Sequence, residues 1–496
     1  MKHQNLKIIS ILFLLFILIF SGSPHPVAAG TSLDAHQDPK NLPPAAPAPP
    51  GTTIFLPTVI KNSSGAISLP TVMMGSESCC TNDSNVADKA SNANMTLMRV
   101  DALDWKRIEP NRTVPATYDW SSVNKEMLKN LALRKINVIG TVRYAPPWAQ
   151  KYPPYSCGPI LESAFDAFAQ FLAEAVKIYS KPPYSVMYWE LGNEIDAGAF
   201  AGLPDSVFGC WGGWDSDPYY GGSYYVKMLE KAYPAIKAAN PDAQVLVGGF
   251  LLDCDPTNPP PGKTCTPGKF LEGILVNNGK YNGANYFDMI SFHAYTFYQS
   301  DGTIVDENNP SWVHRGGVVL GKIDFLKSVL DKYNAKKAIL QTEGALVCTI
   351  CDASGYDFTN FNETQADYVV WLYVRNWAAG VPGTIWYAFE GPGWRYSTLL
   401  DGYQQPKPAY YALKYLTTKL QGVNYSQQIY LYPEIRVYEF KTAAKRIWVM
   451  WAPDQKPHTI TLPAGVSQVT DKYGNVITPA GNQITVNRPV YVDLIP

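Results

Sequence analysis

From about residue 67 onward, short β-rich apolar runs alternate with stretches of helical length in which apolar residues recur three and four apart. That alternation is the signature of β/α units around a parallel sheet. Eight runs read as strands: Thr71 to Met74, Leu97 to Asp101, Val138 to Tyr144, Val186 to Leu191, Gln244 to Gly248, Asp288 to Phe292, Ala338 to Gln341 and Thr384 to Ala388. Helical patterns lie between them, among them Glu162 to Tyr179, Tyr224 to Ala239, Val318 to Tyr333 and Glu363 to Ala379. Eight such units predict a (β/α)8 barrel over residues 67–422 rather than a doubly wound open sheet. Past residue 422 the helical period disappears. Ile435 to Phe440, Arg446 to Trp451, Thr459 to Leu462, Gln483 to Val486 and Val490 to Leu494 read as strands separated by turn signals, which predicts a small antiparallel β-sandwich over 423–496.

The first 66 residues fit neither pattern. Lys2 and Lys7 precede an apolar run from Ile8 to Phe20, and Val27-Ala28-Ala29 supplies small residues before Gly30. This is the layout of a cleaved secretory signal peptide over residues 1–29, and the run is too short for a membrane anchor. Residues 30–66 are rich in proline and read as an extended linker. Within them, Ile54 to Ile60 either pairs as a strand with a neighbouring domain or is simply apolar linker.

Charge narrows the partners. With 41 basic and 42 acidic side chains the net charge is −1, too even for a protein that binds nucleic acid by displacing counterions. An apolar fraction of 46% excludes disorder. After signal cleavage no membrane partner is expected, and the oligomeric state is open. Export makes the eight cysteines candidates for disulfides. Cys254 and Cys265 bracket a loop as a staple would, and Cys348-Thr349-Ile350-Cys351, with no second such pair, reads as structural rather than as a zinc or redox site. Pairing among the others, which include Cys79, Cys80, Cys157 and Cys210, stays open. All eight fall in segments after strands, on the face where a barrel carries its chemistry.

On that face two strands end in carboxylates: Tyr188-Trp189-Glu190-Leu191-Gly192-Asn193-Glu194 on strand four and Ile339-Leu340-Gln341-Thr342-Glu343 on strand seven. Strands four and seven face each other across a barrel mouth, so Glu194 and Glu343 can flank one scissile bond as acid and nucleophile. These residues, with Arg99-Val100-Asp101, Trp105 to Pro110, Tyr118 to Ser121 and Ala145-Pro146-Pro147-Trp148-Ala149, resemble the retaining glycoside hydrolases of clan A, and within it family 39. The resemblance covers most of residues 67–496.

It implies a secreted enzyme that cleaves O-glycosidic bonds of oligo- or polysaccharides by two glutamates in a double displacement. Glu194 is then the general acid/base and Glu343 the nucleophile, with Arg99 helping to hold the nucleophile charged. Asn193 would bind the sugar 2-hydroxyl, His293 and Tyr295 on strand six would orient the site, Trp386 on strand eight would form a floor under the sugar, and Trp148 would contact substrate. No cofactor and no metal are expected. β-Xylosides, related pentosides, uronides and exopolysaccharides are the substrates the resemblance suggests, and the wider clan adds glucans, mannans and galactosides. Clan members commonly carry Pro after the Asn-Glu pair, where this chain has Ile195 and Asp196.

Bland readings stand beside these. Glu190, inside strand four, reads as paired with a barrel cation, and Glu390 either contacts substrate or fixes a loop. Trp211, Trp214, Trp394, Tyr219 and Tyr220 either stack on sugars or pack on one another. The mature chain holds only His36, His293, His314 and His458, too few for a metal hydrolase, and no G-x-S-x-G elbow occurs. The remaining alternative is a catalytically inactive carbohydrate-binding or cell-surface barrel.

Overall fold

The structure, a computed structural model, describes residues 72–78, 84–198, 204–265, 268–391 and 393–496. The expected signal peptide, the proline-rich linker with segment 54–60, and Cys79 and Cys80 lie outside the described residues. Eight strands alternate with eight main helices: β1 (Met73–Ser78), α1 (Ser84–Asn92), β2 (Leu97–Asp104), α2 (Lys125–Leu133), β3 (Asn137–Arg143), α3 (Phe165–Tyr179), β4 (Tyr188–Asn193), α4 (Tyr220–Ala239), β5 (Gln244–Phe250), α5 (Phe270–Val276), β6 (Met289–Tyr298), α6 (Val318–Lys332), β7 (Ala338–Cys348), α7 (Thr359–Ala378), β8 (Gly383–Trp386) and α8 (Pro408–Lys419). Every strand pairs in parallel with the next, and β8 returns to β1, so the sheet closes into the expected barrel.

Alternation along the strands builds the interior. Met73, Leu97, Ile139, Tyr188, Leu246, Met289, Leu340 and Ile385, one from each strand, form a plug of apolar side chains inside the barrel. The residues between them, such as Met98, Val138, Trp189 and Ile290, point outward into the core shared with the helices. Two positions further along β2, β3, β4 and β6, the inward set turns polar: Arg99, Thr141, Glu190 and Ser291, all buried. Burying such groups costs several kcal/mol each unless they are paired, so an ion and hydrogen-bond network above an apolar plug marks where function overrides packing.

Several strands outrun their expected ends. β1 continues past Met74 to Ser78, β6 past Phe292 to Tyr298, and β7 past Gln341 to Cys348, with Tyr298 still opposite Cys348. Polar residues interrupt these runs, so hydropathy alone stops short. Thr342 is an extra residue in β7: Phe292 pairs with Gln341 and His293 with Glu343. This bulge puts Glu343 on the same inward face as Leu340, three positions earlier.

The chain ends in β9 (Asn424–Ile429), β10 (Arg436–Lys441), β11 (Arg446–Trp451), β12 (His458–Thr461), β13 (Val466–Asp471), β14 (Gln483–Val486) and β15 (Val490–Leu494). They form an antiparallel sheet ordered β9-β10-β11-β15-β13 and a second sheet of β12 with β14. β9 and β13, absent from the expected set, are edge strands of the larger sheet with too few apolar side chains to declare themselves. The larger sheet is a middle layer. Trp448 and Met450 face a core shared with the small sheet, whereas Ile447, Val449 and Trp451 join the barrel core. Trp451 stacks on Trp371 of α7, ring centroids 5.7 Å apart.

Among the described residues, three disulfides join Cys157 to Cys210, Cys254 to Cys265 and Cys348 to Cys351. The expected loop staple and the structural reading of the Cys-x-x-Cys pair both hold. The first bridge ties the loop after β3 to the loop after β4.

Candidate active site

Arg99, inward from β2 and almost wholly buried, is the hub. Its Nε donates to Glu190 at 2.6 Å, one terminal nitrogen to Glu77 at 2.6 Å and to Glu343 at 2.7 Å, and the other to the Asn193 side-chain oxygen at 2.6 Å. One guanidinium thus sets the orientation of groups from β1, β4 and β7. Its planar fork suits that task. Glu190 also accepts from Ser291 at 2.6 Å. Burial alone would raise its pKa, but Arg99, and after it His293, outweigh burial and hold it below the usual carboxylate range. The reading of Glu190 as the partner of a barrel cation is met.

Glu343 takes its second oxygen to the Tyr295 hydroxyl, which donates at 2.5 Å. Glu194 stands opposite, just beyond the end of β4, in a left-handed backbone conformation with φ of 46°. A non-glycine residue holds that conformation at a cost of about 1 kcal/mol or more, and such strain persists only where the surroundings impose it. The side chain is buried, and burial pushes its pKa up to about 7. His293 lies between the carboxylates: its Nδ1 is 3.0 Å from Glu194 and 3.3 Å from Glu343. Burial lowers the His293 pKa to about 4, so the ring is neutral near pH 7. Its Nε2 packs against Gly249 without a hydrogen-bond partner among the described residues, so the useful tautomer carries its hydrogen on Nδ1. Oxygens of Glu194 and Glu343 and the His293 ring nitrogen all lie within 4.8 Å of one another.

These three atoms are close enough to share a cation. However, Arg99 and Tyr295 already occupy both oxygens of Glu343, so the cluster is satisfied as a hydrogen-bonded acid network. A second grouping, Asp253 with Cys254 and Cys265, has its sulfurs committed to a disulfide.

Of the residues singled out in the sequence, Arg99, Asn193, Glu194, His293, Tyr295 and Glu343 converge. Trp386 does not. Ile385 belongs to the interior plug, so Trp386 points the other way, fully buried beside Tyr368, and its indole donates to the Ser397 carbonyl at 2.7 Å. Tyr387, one residue on, faces the mouth instead, partly exposed and edge-on to Tyr295 with centroids 5.9 Å apart. Trp148 sits with Trp105, its indole donating to the Glu109 carbonyl and Arg112 over its face, rather than with the carboxylates. Trp394 has a partly exposed ring edge-on to Tyr295, centroids 4.8 Å apart. Trp211 packs into the core against Tyr225, and Trp214 stacks on Tyr152 at 4.2 Å, so those two pack on protein. Glu390 is buried and accepts from Ser78 at 2.5 Å, which ties the loop after β8 to β1.

Sequence reasoning missed Glu77, Tyr387 and the Asp101–Arg143 pair. Glu77 is carried into the cluster by the polar continuation of β1. Burial raises its pKa well above the usual carboxylate range, more than Arg99 lowers it. Asp101 accepts from Arg143 through both oxygens at 3.1 Å, and its side chain is half exposed at the rim.

No family model matches the chain, and no curated protein matches it. Solved structures do. A family 39 glycoside hydrolase from the gut symbiont Bacteroides cellulosilyticus WH2 superposes with a TM-score of 0.61, at 21% identity, over 85% of this chain and 80% of that one. The chain shares the fold of glycoside hydrolases. A family 30 endoxylanase from Clostridium papyrosolvens C71 matches with a TM-score of 0.54, at 11% identity, over 86% of this chain and 98% of its own. A conserved exported protein from Bacteroides fragilis matches with a TM-score of 0.59, at 12% identity, over 86% and 98% of the two chains. At these identities the likeness is one of fold.

Proposed function

We propose that this chain is an exported retaining glycoside hydrolase of clan A in which Glu194 is the general acid/base and Glu343 the nucleophile. The observation that carries the reading is the separation of the carboxylates, whose nearest oxygens lie within 4.8 Å. Carboxyl groups about 5 to 5.5 Å apart suit direct attack on the sugar, whereas inversion needs about 6.5 to 9.5 Å to admit a water. Shared fold with glycoside hydrolases of families 39 and 30 supports the same reading. Three disulfides fit an oxidising compartment and so favour export.

In the first step Glu343 attacks the anomeric carbon while Glu194 gives its proton to the leaving oxygen, which breaks the glycosidic bond and leaves a glycosyl ester on Glu343. In the second, Glu194 takes a proton from water, which attacks the same carbon and frees Glu343. Arg99 and Tyr295 keep Glu343 aimed, and their hydrogen bonds favour the carboxylate that forms again when the ester breaks. Asn193, anchored by Arg99 and by the Val207 carbonyl at 2.9 Å, is the group for the sugar 2-hydroxyl. Tyr387 and Trp394 offer ring surfaces to the pyranose or furanose face.

The test is hydrolysis of a panel of aryl glycosides and plant and microbial polysaccharides by the mature protein, alongside Glu194→Ala and Glu343→Ala. Turnover lost in both variants, with retained anomeric configuration by NMR, is expected. Sugar binding without wild-type turnover would move the chain to the inactive binding barrel, and inverted product would overturn the mechanism.

A further inference from the structure

Two residues beyond Glu194, Asp196 is fully buried. Its two oxygens accept the backbone N–H groups of Leu251 and Leu252 in the loop after β5, at 2.7 and 2.9 Å. The carbonyl of the same Leu251 accepts from the Lys322 ammonium of α6 at 2.6 Å, and that ammonium also donates to the His293 carbonyl at 2.8 Å. His293 Nδ1 then reaches back to Glu194 at 3.0 Å. The circuit is closed. It runs from Glu194 through Asp196, Leu251, Lys322 and His293 to Glu194 again, and joins β4, the β5 loop, α6 and β6. Glu194 and Leu252, one on each side of Asp196, both hold left-handed backbones, with φ of 46° and 47°. Such conformations need anchors, and the Asp196 side chain supplies two of them, beside the backbone bonds from Ala197 to the Glu194 carbonyl and from Trp211 to the Ile195 carbonyl.

We propose that Asp196 and Lys322 are positioning residues for the acid/base, which hold the Glu194 turn against the His293 strand and set the charge Glu194 experiences. The inference rests on the reading of Glu194 as acid/base. Glu194 is faced by His293 from β6, Glu343 from β7, Lys322 from α6, Arg99 from β2 and Arg143 from β3; after burial, which raises it, Lys322 is the strongest charge acting on it. Burial brings Lys322 itself down to about 8, against the pull of Asp196 and Glu194, and burial lifts Asp196 to about 6, with Glu194 adding to the rise. Near pH 7 the pair therefore presents opposite charges behind one carboxyl group. Removing the cation makes Glu194 harder to ionise; removing the anion makes it easier.

A packing role and a charge-setting role predict different things. In the full chain, kcat/KM is measured against pH for Lys322→Gln, Lys322→Arg and Asp196→Asn, on aryl glycosides with poor and with activated leaving groups. Lys322→Gln moves the alkaline limb up and Asp196→Asn moves it down, each by about half a pH unit or more. Lys322→Arg returns the limb towards wild type. Both neutral variants lose about tenfold or more on the poor leaving group, chiefly in kcat, and much less on the activated one, which needs no proton. Limbs that move in the same direction, or stay put, overturn the proposal, as do equal losses on both substrates. Should Lys322→Gln fail to fold, Asp196→Asn shifted down with Lys322→Arg in place carries the same decision. Wild type without turnover on any glycoside, or turnover that survives Glu194→Ala, sinks the functional reading instead.

Discussion

Glu194 and Glu343 are both glutamates at the rim of one barrel, yet their surroundings divide the labour. Glu343 receives a guanidinium and a phenol hydroxyl; Glu194 receives a neutral imidazole and is desolvated. An acid with a pKa of about 7 still holds its proton at mildly acidic pH and can give it up, as a general acid must. With Glu194 as the proposed acid, kcat/KM is expected to fall as pH rises through about 7, because the ionised Glu194 would have no proton to donate. A pH profile with an alkaline limb that persists in the Glu194→Ala variant would contradict this. For Glu343→Gln the expected loss in kcat is about 10³-fold or more, since the covalent route is closed. For Glu194→Ala it is about 10² to 10⁴-fold, and less with leaving groups that depart unprotonated. Steady-state rates on one aryl glycoside with a poor leaving group and one with an activated leaving group decide both.

Elements deliver these side chains, and small irregularities in them matter more than their lengths. The extra Thr342 in β7 turns Glu343 inward, and Gly249 in β5 leaves the room that the His293 ring occupies. A Cβ at Gly249 would lie 2.1 Å from His293 Nε2, and the buried ring cannot swing aside cheaply. Gly249→Ala is therefore expected to cost about 1 to 3 kcal/mol of stability and to lower kcat more than tenfold as His293 leaves the two carboxylates. Chemical denaturation and kinetics on the same sample check it; unchanged kcat would show that His293 is not held by β5. The Cys157–Cys210 bridge spans 53 residues and pins the loops after β3 and β4 to each other. Replacing both cysteines by serine should lower stability by about 4 kcal/mol on loop-closure entropy, read as a fall in the denaturation midpoint against the oxidised protein.

At the scale of the whole molecule, barrel and C-terminal sheets share one boundary core. Trp371 and Trp377 of α7 meet Trp451 and Phe440 of the larger sheet. Beside them Asp367 of α7, fully buried, accepts from Lys472 at 2.6 Å and from Arg488 at 2.8 Å. Removing the carboxylate leaves the buried Lys472 ammonium with only the half-buried Glu363 as its anion, so Asp367→Ala should destabilise the fold by about 3 kcal/mol. Calorimetry on this variant and on wild type is expected to show a single transition in each, shifted down in the variant. Two resolved transitions would mean that the sheets and the barrel fold apart, and that the boundary contributes little.

Sequence alone determined the architecture, because periods of 2 and 3.6 are properties of local runs: eight strands, the intervening helices and the sheet-rich end follow from them. It also singled out Glu194, Asn193 and Glu343 as polar residues at the ends of apolar strands, while Arg99, His293 and Tyr295 came from the resemblance to clan A. Tertiary structure decided the rest. One position of register separates Trp386, turned into the helix layer, from Tyr387 at the mouth, and hydropathy rates the two alike. Glu77 enters the site only because β1 continues through Gly75, Ser76 and Glu77 beside Arg99. Asp196 and Lys322, 126 positions apart in the chain, meet through the Leu251–Leu252 peptide of a third segment. Pairing between distant segments sets bulges, facing and charge sharing, and no local pattern carries that information.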